Sequence, residues 1–176
     1  MKIFLLPGQS IRNKEWIEEV ESSVKGIFSD TKIQYYKHWT LGEKQTDIPF
    51  ETEKFVKLIN ECEEDYVVFA KSIGSLILLN SLKSLKRKPK AVLILGFPYY
   101  LVSRLGFDLK KLVENVDFRM NIYQKEFDTA GTYEEIKTLS NEYVFVNMYE
   151  CIDEPNDNHH YANYKYISKL LESLVR

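Results

Sequence analysis

An α/β fold is predicted, a three-layer sandwich in which a mostly parallel sheet of about six strands is flanked by helices. Three features of the chain point to it. Short runs rich in β-branched and aromatic residues recur, long enough for strands and too short for helices. Between them lie stretches whose apolar residues stand three and four positions apart, as one buried helix face requires. The two kinds alternate from end to end, which builds a parallel sheet covered on both faces. No repeat, linker or low-complexity segment interrupts the alternation, so residues 1–176 are expected to form one domain.

Lys2 to Leu6 is the first strand, with Pro7-Gly8-Gln9-Ser10 as its exit turn. Asn13 can cap a helix to about Lys25, with Trp16, Ile17, Val20 and Val24 on one face and Gly26 closing it. Thr31 to Tyr36 alternates as a second strand, and His38 to Gly42 reads as a loop. A helix from Pro49 or Phe50 to Cys62 carries Phe55, Val56, Leu58 and Ile59. Tyr66-Val67-Val68-Phe69 is a buried strand, and a helix bearing Leu76, Leu79 and Leu82 follows it. Pro89 stops that helix before the very apolar strand Lys90 to Leu95. Leu101 to Val116 is one helical stretch, or two broken at Gly106. Phe118 to Tyr123 and Tyr143 to Met148 are the last strands, and between them Thr132 with Glu135 resembles a capping box. Tyr161 to Val175 closes the chain as a helix.

In a parallel sheet, ligands bind beyond the carboxyl ends of the strands. The stretch Ala70-Lys71-Ser72-Ile73-Gly74-Ser75 lies at such an end. It has the shape of a G-x-S-x-G nucleophile elbow, with Ala70 in place of the first Gly and Lys71 before the serine. Such a turn strains the serine backbone and needs small residues two before and two after it. The plainer alternative is a serine that caps the helix.

A serine hydroxyl becomes a nucleophile only beside a base that a third group orients. The chain holds three histidines, His38, His159 and His160. Two of them follow the last strand, and Asp128 follows the strand before it. The order Ser72, Asp128, His159 or His160 is the one expected when a serine elbow is served by an acid and a base from later strands. Glu126 and Asp117 are weaker candidates for the acid, since one points differently and the other precedes its strand. The Ile73 N–H, at a helix start, can meet an oxyanion, and Gln9 after the first strand can supply a second N–H. Phe97, Tyr99 and Trp39 are possible pocket walls. His38 is more often structural at such a place. Asp153, Glu154 and Asp157 around the two late histidines could be read as a metal cluster, but no ligand spacing supports one, and no metal is expected.

Composition narrows the partners. Hydrophobic residues at 44% and charged residues at 28% match a globular protein with a sizeable core. A net charge of −2 leaves no basic surface for nucleic acid, and the Lys83–Lys90 cluster lies where cations offset a helix dipole. Cys62 and Cys151 make neither a disulfide framework nor a metal spacing. The run Ile3 to Leu6 is too short for a signal peptide or membrane span, so a cytoplasmic protein is expected. One glycine in Pro7–Ser10 gives no phosphate-cradling loop, so a nucleotide binder is disfavoured and no cofactor is expected.

Leu6-Pro7-Gly8 with Trp16 downstream, Ala70 to Ser75, Phe127-Asp128 and Asn158-His159-His160-Tyr161 together resemble the α/β-hydrolase superfamily, in its small, lidless, single-domain form. The resemblance covers nearly the whole chain, starting at what is normally the family's third strand. It implies Ser72 as nucleophile, Asp128 as acid and a histidine of the last loop as base. His159 fits best, because family members often carry a base followed two residues later by an aromatic, here Tyr161; His160 is the alternative. The implied activity is hydrolysis of an ester, thioester or related acyl bond in a small molecule. The other reading is a non-catalytic binding module on the same fold.

Overall fold

The computed structural model describes residues 1–176 except Asn115, Glu154 and Arg176, together with every side chain of those described but that of Ser140. Six strands form one sheet: β1 (Lys2–Leu6), β2 (Asp30–Ile33), β3 (Tyr66–Lys71), β4 (Ala91–Leu95), β5 (Arg119–Gln124) and β6 (Val146–Glu150). Their order is β2-β1-β3-β4-β5-β6, and every pairing is parallel. β3 is buried at all six positions. That is the consequence of helices on both faces, and it explains why its apolar run shows no alternation.

The helices are α1 (Asn13–Ser23), α2 (Lys37–Leu41), α3 (Ile48–Asn60), α4 (Ile73–Ser81), α5 (Tyr99–Arg104), α6 (Leu109–Val113), α7 (Tyr133–Glu142) and α8 (Tyr164–Glu172). Trp16, Ile17 and Val20 of α1 and Ile167 and Leu171 of α8 pack on Ile3, Leu5, Phe69 and Leu93. On the other face Phe55, Leu76, Val102 and Ile136 cover Phe4, Leu6, Val68 and Ile94. Odd and even strand positions thus serve two separate cores.

Several expectations change. The helix after β3 ends at Ser81, with a short 3-10 turn over Leu82–Ser84, well before Pro89, and β2 stops at Ile33 while β6 starts only at Val146. His38–Gly42 is not a loop: α2 forms there and stops at Gly42, whose φ is 70°. Asn13 is the first residue of α1 rather than its cap, because its side chain is bonded to Ser10 and Lys71 instead. The final helix begins at Tyr164, capped by Asn163, and not at Tyr161. The stretch after β4 does divide, with Gly106 at φ 74° between α5 and α6, and the Thr132–Glu135 capping box is formed.

Strand order reverses direction between β1 and β3, because β2 lies outside β1 while β4 to β6 extend past β3. The register sets Leu6 beside Ala70 and Lys71 beside Leu95. The turn after β1 and the turn holding Ser72 therefore leave the sheet side by side at its switch point, where open α/β sheets form a crevice.

Candidate active site

β3 ends at Lys71 and α4 begins at Ile73, so Ser72 alone makes the turn. Its φ of 52° is the only positive value at a non-glycine among the described residues. Such a conformation costs about 1–3 kcal/mol and has to be held by its surroundings. The Ser72 N–H donates to the carbonyls of Leu95 and Gly96 at 3.3 and 3.2 Å. A Cβ on Gly74 would lie 2.4 Å from the Leu6 carbonyl oxygen, which is why that position is glycine. Ser72 occupies the cap position of α4, yet its side chain makes no capping bond. Ser75 makes the local one, its Oγ donating to the Ser72 carbonyl at 2.6 Å.

Asp128 and His159 meet. Nδ1 of His159 lies 2.8 and 3.0 Å from the two Asp128 carboxylate oxygens. The carboxylate is buried and also accepts from the Ala130 N–H at 2.8 Å and the Tyr161 hydroxyl at 2.5 Å. Burial and the nearby Asp128 charge raise the Tyr161 pKa, so it stays a donor. Gly96 gives the ring its room: a Cβ there would come within 2.9 Å of His159 Cε1 and 2.6 Å of Tyr161 Cε2. His159 Nε2 is buried and has no hydrogen-bond partner among the described residues, so the Asp128–His159 pair is formed while a bond onward to Ser72 is not. His160 is largely exposed, and its partial burial together with the charges of Lys71 and Lys125 lowers its pKa.

The turn after β1 is tied back by three donors. The Tyr36 hydroxyl donates to the Pro7 carbonyl at 2.7 Å, and His38 Nε2 and Trp39 Nε1 both lie 2.7 Å from the Gln9 carbonyl. His38 is therefore a clamp on this turn, and its Nδ1 is buried without a partner. The Ile73 N–H is the first of α4 and has no intrahelical acceptor. Gln9 lines the same cavity as Ser72, the residue before Ile73.

That crevice opens into a cavity of about 910 Å³ lined by Gln9, Trp39, Lys71, Ser72, His159 and His160, among others. Phe97 and Tyr99 are not on its wall. Phe97 is fully buried in the core, its N–H held by Gln124 Oε1 at 2.7 Å, and Tyr99 packs against Gly131 and Tyr100. Asp117 pairs with Lys88, and Glu126 bonds Asn156, so neither reaches a histidine. Glu154 lies outside the described residues, and among those described no three His, Cys, Asp or Glu side chains converge as a metal site would need.

Several contributors escaped the sequence. Tyr161, expected to pack behind His159, also bonds Asp128. Lys125 is fully buried and bonds the Pro155 and His160 carbonyls at 2.6 and 2.5 Å, tying the histidine loop to β5. Gln124 links the β4 and β5 exits, bonding Phe97 and Gly131. The one available signal was a polar pair, Gln124-Lys125, at the carboxyl end of a strand, the edge where ligands bind.

No protein-family profile matches the chain. A curated relative, Roc-COR-CHAT protease from an unknown prokaryotic organism, is 27% identical over 146 residues, covering 76% of this chain and 14% of that protein. The chain thus spans about a seventh of that relative's length. Among solved structures, a candidate YdeN-like hydrolase of Pectobacterium atrosepticum superposes with a TM-score of 0.76 at 13% identity, over 98% of this chain and 89% of the other. A candidate hydrolase of the alpha/beta superfamily from Xanthomonas campestris gives 0.70 at 9% identity, over 99% and 97%. Est1E of Butyrivibrio proteoclasticus, bound to ferulic acid, gives 0.70 at 14% identity, over 99% and 89%. At these identities the likeness concerns architecture: the chain has the fold of the α/β-hydrolase superfamily.

Proposed function

We propose that this chain is a serine hydrolase acting on an ester, thioester or related acyl bond of a small molecule. The observation that carries the reading is the Asp128–His159 hydrogen bond, 2.8 Å long, beside a serine held at positive φ on the same cavity. In the proposed cycle the Ser72 oxygen attacks the carbonyl carbon while His159 Nε2 takes the hydroxyl proton. Asp128 holds the Nδ1–H and stabilises the imidazolium. The oxyanion is met by the N–H groups of Ile73 and Gln9. As the tetrahedral adduct collapses, the bond to the leaving group breaks and His159 returns the proton to it. Water, deprotonated by His159, then splits the acyl-Ser72 ester, releasing the acid and restoring the hydroxyl. The unpartnered His159 Nε2 fits a base whose serine contact tightens when substrate arrives.

A fluorophosphonate probe and short p-nitrophenyl esters test this together. The folded protein should label and turn over, and Ser72→Ala should do neither. His159→Ala should lose roughly three to four orders of magnitude in turnover, with His160→Ala losing far less. A folded protein that neither labels nor turns over would leave a binding module, the reading that the missing His159–Ser72 bond favours. Because the curated relative is named a protease, a peptide anilide belongs in the substrate panel.

A further inference from the structure

Two lysines are buried beside this site, and they are satisfied very differently. Lys125 is 0% exposed and directs its ammonium at three acceptors, the Pro155 carbonyl at 2.6 Å, Asn158 Oδ1 at 3.2 Å and the His160 carbonyl at 2.5 Å, with the Asp153 carboxylate at 3.9 Å. An ammonium has three donors, so nothing is left over. Lys71 is 4% exposed, and its one hydrogen-bond acceptor among the described residues is Asn13 Oδ1 at 3.0 Å. Its Nζ also lies 5.1 Å from the centre of the Trp16 ring, on the α1 face of the sheet. Asp128, the carboxylate that acts on it from a distance, is already paired with His159.

A buried cation with unused donors is unfavourable unless something completes its shell. Burial lowers the Lys71 pKa to about 8, with Lys125 adding to the effect and Asp128 opposing it, so the amine is still mainly charged at neutral pH. Lys71 lines the cavity that holds Ser72, next to it in sequence. Asn13 and the exposed Arg12 and Lys44 line it too, against a single carboxylate, Glu43. The cavity is short of negative charge at the point where its buried ammonium has an incomplete shell.

We propose that Lys71, supported by Asn13 and Arg12, binds a negatively charged group of the substrate, so that the bond cut at Ser72 belongs to an anionic acyl compound, one bearing a carboxylate or a phosphate. This rests on the reading of Ser72 as an acyl-transferring nucleophile, and its test is built so that the two fail separately.

The first measurement is a ratio of kcat/KM values: the p-nitrophenyl monoester of glutaric acid over its uncharged counterpart, p-nitrophenyl valerate. In the wild type this ratio should exceed that of Lys71→Met by about 10- to 100-fold, as expected for a charge-assisted hydrogen bond, with the difference carried by KM. Lys71→Arg should keep most of it. In the wild type alone, the ratio should fall as pH rises through about 8, where the Lys71 ammonium is lost. Asp128, Lys125 and His160 act electrostatically around Lys71, and Glu43, Lys44 and Arg12 share its cavity, but all of these remain in Lys71→Met, so only a step absent from that variant belongs to Lys71.

The second measurement needs no turnover. Both tryptophans of the chain, Trp16 and Trp39, line the cavity. Glutarate and inorganic phosphate, titrated separately, should change their fluorescence saturably in the wild type and not in Lys71→Met, and the tighter of the two names the preferred anion. Saturable binding without turnover of either ester sinks the hydrolase reading and supports the anion site. Turnover with a ratio, a pH response and a fluorescence response that Lys71→Met leaves unchanged overturns the anion site and supports the hydrolase.

Discussion

An ammonium held without its counter-ion should make the empty protein less stable than the fold allows. Lowering the Lys71 pKa from 10.5 to about 8 corresponds to about 3 kcal/mol against the charged form, at roughly 1.4 kcal/mol per unit. Losing the Asn13 bond gives back about 1 kcal/mol of that. Lys71→Met, which keeps the stem against Trp16, should therefore stabilise the unliganded chain by about 1–2 kcal/mol at pH 7 in denaturant melts. The sign with pH follows from the protons bound. Below about 8 the amine is charged in both states and the gap between wild type and variant is constant. Between about 8 and 10.5 the unfolded chain binds the extra proton, so the wild type gains up to about 3 kcal/mol as pH rises, and the gap closes and then changes sign. A gap unchanged across that range would place the deficit elsewhere.

At the scale of elements, α4 is pressed against β1 so closely that Gly74 meets the Leu6 backbone. Gly74→Ala should destabilise by about 2 kcal/mol or more, since the obstacle is a main-chain oxygen with no rotamer to escape into, and thermal melts will read it. If Gly74→Ala melts like its parent, α4 has slack that this packing denies. α1, α3 and α4 were legible from their apolar spacing because their own faces are buried in the core. α2 was not, because five residues carry no period and its hold is tertiary: His38 and Trp39 bond the Gln9 carbonyl from another part of the chain. The start of α8 was misread for a similar reason. Tyr161 fits an apolar helix stripe by spacing, yet its hydroxyl is engaged at Asp128 and the helix waits for the Asn163 cap.

For the whole molecule, chain order and the position of each residue after a strand were enough to bring Asp128 and His159 to one rim, because parallel strands deliver every exit loop to the same edge. They could not say which way a loop side chain turns once there. Phe97 and Tyr99 turned into the protein, while Trp39 lies along the cavity. Nor could they reveal that Lys71 is buried rather than solvated, since a lysine at a strand-to-helix turn reads as surface until α1 is laid over it. The cavity has also gathered all three histidines of the chain, His38, His159 and His160. In a proton NMR spectrum the imidazole ring signals would therefore form a small private band that belongs to this one place. A compound that enters should shift members of that band even in unlabelled protein, whereas one that adheres to an outer face, however tightly, should leave all three where they were.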